Sequence, residues 1–393
     1  MNCYKDEFVE LHHGDCLDVM RTLPDNSVDS IVTDPPYGLG FMGKAWDDLP
    51  PGLPWAQECL RVLKPGGHLL AFGGTRTWHR LACAVEDAGF EMRDSIAWIH
   101  AQGFPKSLDV SKAIDKAAGA QREILRECTY ALTDGGGYSG NLNTSKPRSE
   151  SAEISAPATP DAARWQGWGT SLKPAFEPVV VGRKPLVGTV AANVLAYSTG
   201  ALNIDGCRVD VGEGDALRTA TYVGSNPGSA GHTMGDGWAG QGTNVPMWSG
   251  KGRWPANVVL DGSQADALDA QSGGDPSRFF PTFHYQAKAP TSERPKVDGV
   301  AHPTVKPLSF MRWLVRLVTP PGGTVLEPFA GSGTTVEACV LEGFKCIAIE
   351  REATYLPLIA ARLSRSVATL HDIPEEVVGW AYTEWCKLEQ EAA

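Results

Sequence analysis

Asp34-Pro35-Pro36-Tyr37-Gly38 sets a carboxylate, two rigid residues and an aromatic ring directly after the β-branched run Ile31-Val32-Thr33. The run reads as a buried strand, and the prolines force the chain off it into a loop of fixed shape. Proline has no N–H, so this loop leaves carbonyl oxygens beside the Asp34 carboxylate. Such a group of acceptors can hold a planar amino group while Tyr37 covers the ring that carries it. Taken alone, the same residues also suit an ordinary strand-ending turn.

A second loop, Pro328-Phe329-Ala330-Gly331-Ser332-Gly333-Thr334-Thr335, follows a short strand at residues 324–327 and leads into a helix near Val336. Its glycines let the backbone approach a ligand closely. The lysine of a phosphate-binding loop is absent, and Val336 stands where a dinucleotide fingerprint needs its third glycine. The next strand, residues 345–349, ends at Glu350, about 20 residues beyond the loop, where an acid suits the hydroxyls of a ribose. A glycine loop and a ribose acid without a phosphate lysine imply a nucleoside cofactor that lacks a polyphosphate.

Other elements must position these loops. Strands are expected at residues 9–12, 68–72, 95–99 and 174–181, besides those already named. Helices are expected at residues 17–23, 55–63 and 78–89, then at 308–318 and over residues 356–363. The Pro-Gly runs at 64–67 and 320–323 read as stops, and residues 41–54 as irregular. Alternating strands and helices predict an α/β fold with a doubly wound parallel sheet.

At 393 residues, 42% hydrophobic and 21% charged, the chain has the composition of a soluble protein with one large core or two modest ones. No stretch approaches the roughly 18 apolar residues of a membrane span, so a cytoplasmic protein without membrane contact is expected. Nine cysteines lie singly, with no C-x-x-C pair, and read as reduced thiols; no metal site is expected, and His12-His13 with Cys16 reads as incidental. A net charge of −11 and a pI near 5.3 argue against non-specific coating of nucleic acid. They leave room for a DNA enzyme with a local basic face, which has to come from the middle of the chain. Lys106, Lys112, Lys116, Arg122 and Arg126 lie there, as do Trp248, Lys251, Arg253 and Trp254. Recognition and a flexible surface insertion are equal readings of residues 212–252.

Together the motifs resemble those of the S-adenosylmethionine-dependent amino-methyltransferases of DNA, in the order of the β class: catalytic loop, recognition region, cofactor loop. Asp34-Pro35-Pro36-Tyr37 matches the catalytic motif, Phe329-Ala330-Gly331-Ser332-Gly333 the cofactor loop, and His302-Pro303-Thr304-Val305-Lys306-Pro307 the segment before it. The resemblance covers roughly residues 8–99, 173–185 and 300–365. It departs at Glu327, where relatives usually carry Asp, and the longer arm is expected to shift the cofactor amino group slightly.

The resemblance implies a Rossmann-like, mostly parallel, seven-stranded sheet. Its implied organisation is a catalytic half (1–99), a partly disordered insertion (100–172), a returning strand (173–185), a target-recognition region (186–299), a cofactor half (300–365) and a helical tail (366–393). It implies catalysis by Asp34, Pro35, Pro36 and Tyr37 on a flipped adenine, whose N6 takes the methyl group in line. The cofactor is expected against Asp15, Asp34, His302, Thr304, Lys306, Glu327, Phe329, Ala330, Gly331, Gly333 and Glu350. Within that set Glu327 faces the methionine amino group, Lys306 the carboxylate, Glu350 the ribose and Asp15 the adenine. For Asp15 a helix cap, for Lys306 a solvated surface position and for His302 a cap of the next helix stay open.

Duplex DNA is the implied partner, with a homodimer and a cognate restriction endonuclease as further ones, in a bacterial or phage-infected cell. The tail pattern Val378, Ala381, Tyr382, Trp385 and Leu388 suits docking on the core or a second subunit. Cytosine N4, an RNA, a protein amide, a nicotinamide-dependent oxidation and a silent DNA-binding module are the competing functions. Chemistry at cytosine C5 is excluded, because no Pro-Cys dipeptide supplies its nucleophile.

Overall fold

A computed structural model describes residues 2–40, 47, 50–100, 107–131, 149–210, 252–283 and 294–370. Its strands, in chain order, are β1 (Asn2–Lys5), β2 (Val9–His13), β3 (Val28–Thr33), β4 (Leu63–Phe72), β5 (Glu91–Ile99), β6 (Ile124–Ala131) and β7 (Ser149–Ser155). They continue with β8 (Phe176–Arg183), β9 (Val258–Asp261), β10 (Thr282–Phe283), β11 (Lys296–Val297), β12 (Val300–Ala301), β13 (Thr324–Glu327) and β14 (Lys345–Glu350). The helices are α1 (Cys16–Met20), α2 (Leu53–Val62), α3 (Trp78–Asp87), α4 (Val110–Ala117), α5 (Pro160–Arg164), α6 (Val190–Tyr197), α7 (Gly262–Ser272), α8 (Leu308–Val318), α9 (Thr334–Leu341) and α10 (Leu356–Leu370).

One sheet runs β1-β2-β14-β13-β3-β4-β8-β5-β9-β10. Only β1, against β2, and β8, against β4 and β5, break the parallel direction. The run from β2 to β5 holds the seven expected strands, and β1 on one edge with β9 and β10 on the other widens it to ten. The fold is therefore Rossmann-like, doubly wound and mostly parallel, but broader than expected. Strands β9 and β10 come from the region expected to read DNA, so part of that region is scaffold.

Period-two alternation explains why both faces are covered. Ile31, Leu69, Val180, Leu326 and Ile349 point to one face, into a core with Met20 of α1, Trp55 and Cys59 of α2, and Leu81 and Val85 of α3. Their neighbours Val32, Leu70, Val179, Val181 and Val325 point to the other face, where α8, α9 and α10 bring Phe310, Leu314, Val336 and Ile359. Every residue of β3 is buried, as its position in the middle of the sheet demands.

Helix α2 ends just before Lys64-Pro65-Gly66-Gly67, as expected, but the next strand begins at Leu63 and not at residue 68. Strand β4 passes through the Pro-Gly run, because Gly66 takes φ +79° and its N–H reaches the Lys184 carbonyl at 3.1 Å, while Lys184 N–H reaches the Gly67 carbonyl at 2.9 Å. The kink is a bulge between β3 and β8. Asn193 of α6, fully buried, anchors it by donating to the carbonyls of Pro65 (2.9 Å) and Thr199 (2.8 Å) and accepting from Val187 N–H (2.9 Å).

The insertion expected to be partly disordered between residues 135 and 160 carries β7 and the start of α5. Asp115 of α4 holds that subdomain together, accepting from Arg122 (2.6 Å), Ala158 N–H (3.0 Å) and the Thr159 hydroxyl (2.8 Å). Residues 132–148, the glycine-rich stretch 212–250 and the tail pattern at 374–388 lie outside the described residues. Among the described residues no helix is long and apolar enough to cross a membrane.

Replacing Asn193 by Ala removes three hydrogen bonds and takes the Asn193 donor from the buried Thr199 carbonyl, while the Pro65 carbonyl keeps the Thr199 hydroxyl. A buried group orphaned in this way costs about 1–3 kcal/mol, so a cost of at least that size is expected as a lowered urea midpoint at unchanged slope.

Candidate active site

Parallel strands present their carboxyl ends to one edge, where ligands of open α/β sheets bind. Here β3 delivers Asp34, Pro35, Pro36 and Tyr37, β13 delivers Glu327 to Gly331, and β14 ends on Glu350; all line one cavity of about 550 Å³. Because β8 runs the other way, it brings its amino end, and Glu177, to the same edge. Asp15, His302, Thr304 and Lys306 line the cavity as well. Gly333 stands just outside it, beginning α9 at φ +81°, where a Cβ would meet the Ile359 side chain at 3.2 Å.

The loop after β3 is held from outside. Asp47, almost fully buried, accepts from the backbone N–H groups of Tyr37 (2.6 Å), Gly38 (3.0 Å) and Leu39 (3.3 Å), and the Thr77 hydroxyl donates to the Tyr37 carbonyl at 2.6 Å. Nothing in the sequence singles out Asp47, which lies in a stretch that reads as irregular.

Lys306, 9% exposed, has its ammonium 2.7 Å from Asp34 Oδ2, 3.2 Å from Glu177 Oε2 and 3.0 Å from the Tyr37 hydroxyl. The Tyr37 hydroxyl in turn lies 2.9 Å from Asp34 Oδ1 and 2.8 Å from Glu177 Oε2, so its one proton serves one of two carboxylates. Lys306 is thus not a solvated surface side chain; it is the counter-ion shared by Asp34 and Glu177. Burial alone would lower its pKa, but Asp34 and Glu177 outweigh burial and hold it above its ordinary value. Burial would likewise raise Glu177, yet Lys306, with His100 and Tyr37, brings it down to about 2. Sequence reasoning missed Glu177 and His100; the only signal was a polar residue at the open end of each of two apolar strands.

The cofactor side has its own carboxyls. Glu327, 1% exposed, receives the hydroxyls of Thr33 (2.5 Å) and Thr335 (2.5 Å) and Phe329 N–H (3.0 Å). Glu350 receives Gly331 N–H (2.6 Å) and Glu352 N–H (2.7 Å). In each case burial outweighs these donors and pushes the carboxyl up to about 7. Gly331 takes φ +53°, and a Cβ there would come 3.2 Å from the His302 ring, which packs edge-on against Tyr355. His302 turns its Nδ1 to the Thr304 carbonyl and does not cap α8, while Asp15 does cap α1, accepting from Leu17 N–H at 2.9 Å. Asp15 still lines the cavity, so cap and ligand contact are compatible. No cluster able to hold a metal occurs among the described residues.

A doubly wound sheet whose strand ends gather a glycine loop, a terminal acid and an Asp-Pro-Pro-Tyr loop defines a Rossmann-like methyltransferase. The chain belongs to the DNA methylase family of N6-adenine and N4-cytosine type, whose model matches residues 28–136 and 199–361. It is an enzyme of that family, a DNA amino-methyltransferase, and S-adenosylmethionine is its cofactor. It is similar to the Type II methyltransferase M.HindIII of Haemophilus influenzae, with 22% identity over 84% of this chain and 86% of that protein. Type II methyltransferase M.BamHI of Bacillus amyloliquefaciens is 38% identical over 34% of this chain and 37% of its own length. Among solved structures, PvuII DNA methyltransferase (cytosine-N4-specific) aligns over 98% of this chain and 94% of its own, at 15% identity and a TM-score of 0.46.

Both Glu327 and Glu350 bind a proton more tightly folded, near pH 7, than in an unfolded chain at the ordinary 4.5. Their contribution is therefore complete below pH 4.5 and lost as pH rises through 7. Each raised carboxyl accounts for up to about 3 kcal/mol, at 1.36 kcal/mol per pKa unit. Denaturation of the cofactor-free protein from pH 5 to 8 is expected to show stability falling with pH, and Glu327→Gln to flatten part of that slope.

Proposed function

We propose that the chain methylates the N6 amino group of adenine within a specific site of duplex DNA. The observation that carries this reading is Asp34, which opens the catalytic motif as a carboxylate fixed between Lys306 and Tyr37. Relatives acting on cytosine N4 more often open it with Ser.

An exocyclic amino nitrogen is a poor nucleophile, because its lone pair is delocalised into the ring. Asp34 and the Pro35 carbonyl accept its two hydrogens, which favours a pyramidal nitrogen with its lone pair available. Tyr37 covers the flipped base, and flipping costs a few kcal/mol, offset by stacking and pocket hydrogen bonds. When bound, S-adenosylmethionine supplies a methyl group on positively charged sulfur. Glu327 faces its ammonium, Glu350 its ribose hydroxyls and Asp15 its adenine, while the positive φ at Gly331 keeps side chains out of its path. Lys306 holds Asp34 in place at 2.7 Å, so positioning and local charge carry the rate. The setting is the cytoplasm, and a second copy of the chain and a cognate restriction endonuclease are further partners.

The test is incubation of the purified protein with unmethylated DNA and S-adenosylmethionine, then digestion to nucleosides and mass spectrometry. N6-methyladenosine of the deoxy series is the expected product. N4-methyldeoxycytidine would overturn the choice of base, and no methylated nucleoside would overturn the reading as a whole. Asp34→Ala should retain the thermal shift given by S-adenosylmethionine and lose product formation by at least about 100-fold, the scale of one well-placed catalytic group.

A further inference from the structure

His100 follows β5 and lines the same cavity as Asp34, yet it has no part in the chemistry so far described. It is 8% exposed, and neither ring nitrogen has a hydrogen-bond partner among the described residues. An imidazole so deeply buried normally satisfies at least one nitrogen, because an unmet polar group is costly. Its Nε2 sits 3.6 Å from Glu177 Oε1, too far for a hydrogen bond and close enough to become one when a proton arrives. From Glu177 Oε2 the line continues 2.8 Å to the Tyr37 hydroxyl and 2.9 Å to Asp34 Oδ1.

We infer that Asp34, Tyr37, Glu177 and His100 form a proton exit, in which His100 receives the proton that the methylated amino group must shed. The inference rests on the methyltransferase reading of this cavity. As the nitrogen–methyl bond forms and the sulfur–methyl bond breaks, the sulfur keeps the bonding pair and becomes a neutral thioether. The amino nitrogen is left positive, with one proton too many. That proton passes to Asp34. Protonated Asp34 donates to the Tyr37 oxygen as the Tyr37 proton moves to Glu177, which restores both Asp34 and Tyr37. Glu177 then gives its proton to neutral His100, leaving an imidazolium beside a carboxylate.

The direction follows from charge. The Lys306 ammonium favours the ionised form of Glu177 and also lies 2.7 Å from Asp34 Oδ2. Neither carboxylate is a resting place for the proton. His100 is the first group along the line that carries a basic ring nitrogen, and its Nε2 adjoins the Glu177 carboxylate at 3.6 Å. Arg294 also lines the cavity, and as a cation it takes up no proton. Trp98, 5.2 Å away ring to ring, fixes the imidazole's place.

His100→Ala tests the inference, because it leaves a cavity that imidazole can fill. Turnover on duplex DNA bearing the methylated site should fall about 100-fold, the lower range for a proton-transfer group, with KM for S-adenosylmethionine unchanged. Added imidazole should restore it, and methyl-substituted imidazoles should restore it in order of basicity. In the cofactor-free protein, ligand-observed NMR should detect imidazole bound to His100→Ala, with weaker binding once Glu177→Gln is added. The thermal shift given by S-adenosylmethionine confirms folding of each variant. Undiminished turnover in His100→Ala, or a loss that imidazole does not relieve in a folded variant that binds it, overturns the relay alone. An inactive wild-type protein overturns the methyltransferase reading on which it rests.

Discussion

One buried ammonium holds the active edge together. Lys306 precedes α8, Asp34 follows β3 and Glu177 opens β8, and no two of these segments are neighbours in the chain. A charge removed from water is tolerated only when paired and hydrogen-bonded, and leaving one member of such a set alone costs several kcal/mol. The requirement that Lys306 meet both carboxylates therefore fixes where three separate segments end. The Tyr37 hydroxyl, within 3.0 Å of Lys306 and of both acids, closes the set and sets the ring that covers the base pocket.

Such a cluster needs a rigid frame, and the frame comes from the sheet. Residues 31 and 32 face opposite cores, so a slip of β3 by one place would exchange the side chains packed into the two cores and disrupt both. Reversal of β8 matters for the same reason. A parallel strand there would bring Arg183 to the active edge, whereas the antiparallel register pairs Phe72 with Val179 and leaves Glu177 just beyond the end of β4, beside the cavity. The order of strands thus decides which side chains can become chemical neighbours.

Much of this was legible in the sequence. Asp34, Tyr37, Gly331 and Glu350 announce themselves, because rigid or glycine-bearing loops directly after buried runs have few other uses. The two-face alternation predicted a doubly wound sheet. What stayed hidden depends on pairings between distant segments. Glu177 and His100 are single polar residues at strand ends, and only the reversed β8 brings Glu177 to Lys306 and to His100. Asp47 sits in a stretch without periodicity, and its value lies in three backbone N–H groups that no pattern records. Pro65-Gly66-Gly67 marks the end of α2 as its composition suggests, but hides the early start of β4, where Asn193 and Lys184 supply the partners that a kinked strand lacks.

The extra methylene of Glu327, a departure from the Asp usual in the family, acquires a structural meaning. Its carboxylate reaches back to Thr33 on the neighbouring strand and forward to Thr335 at the start of α9, bridging β3, β13 and the cofactor helix. A shorter side chain on the same backbone would fall short of one of these hydroxyls. Thr33 is also the residue before Asp34, so the Glu327 carboxyl grips the strand that aims the Asp-Pro-Pro-Tyr loop. The glycine loop after β13 and the Asp-Pro-Pro-Tyr loop after β3 are in this way referred to the same few atoms, and a change of charge at Glu327 is felt one residue from Asp34.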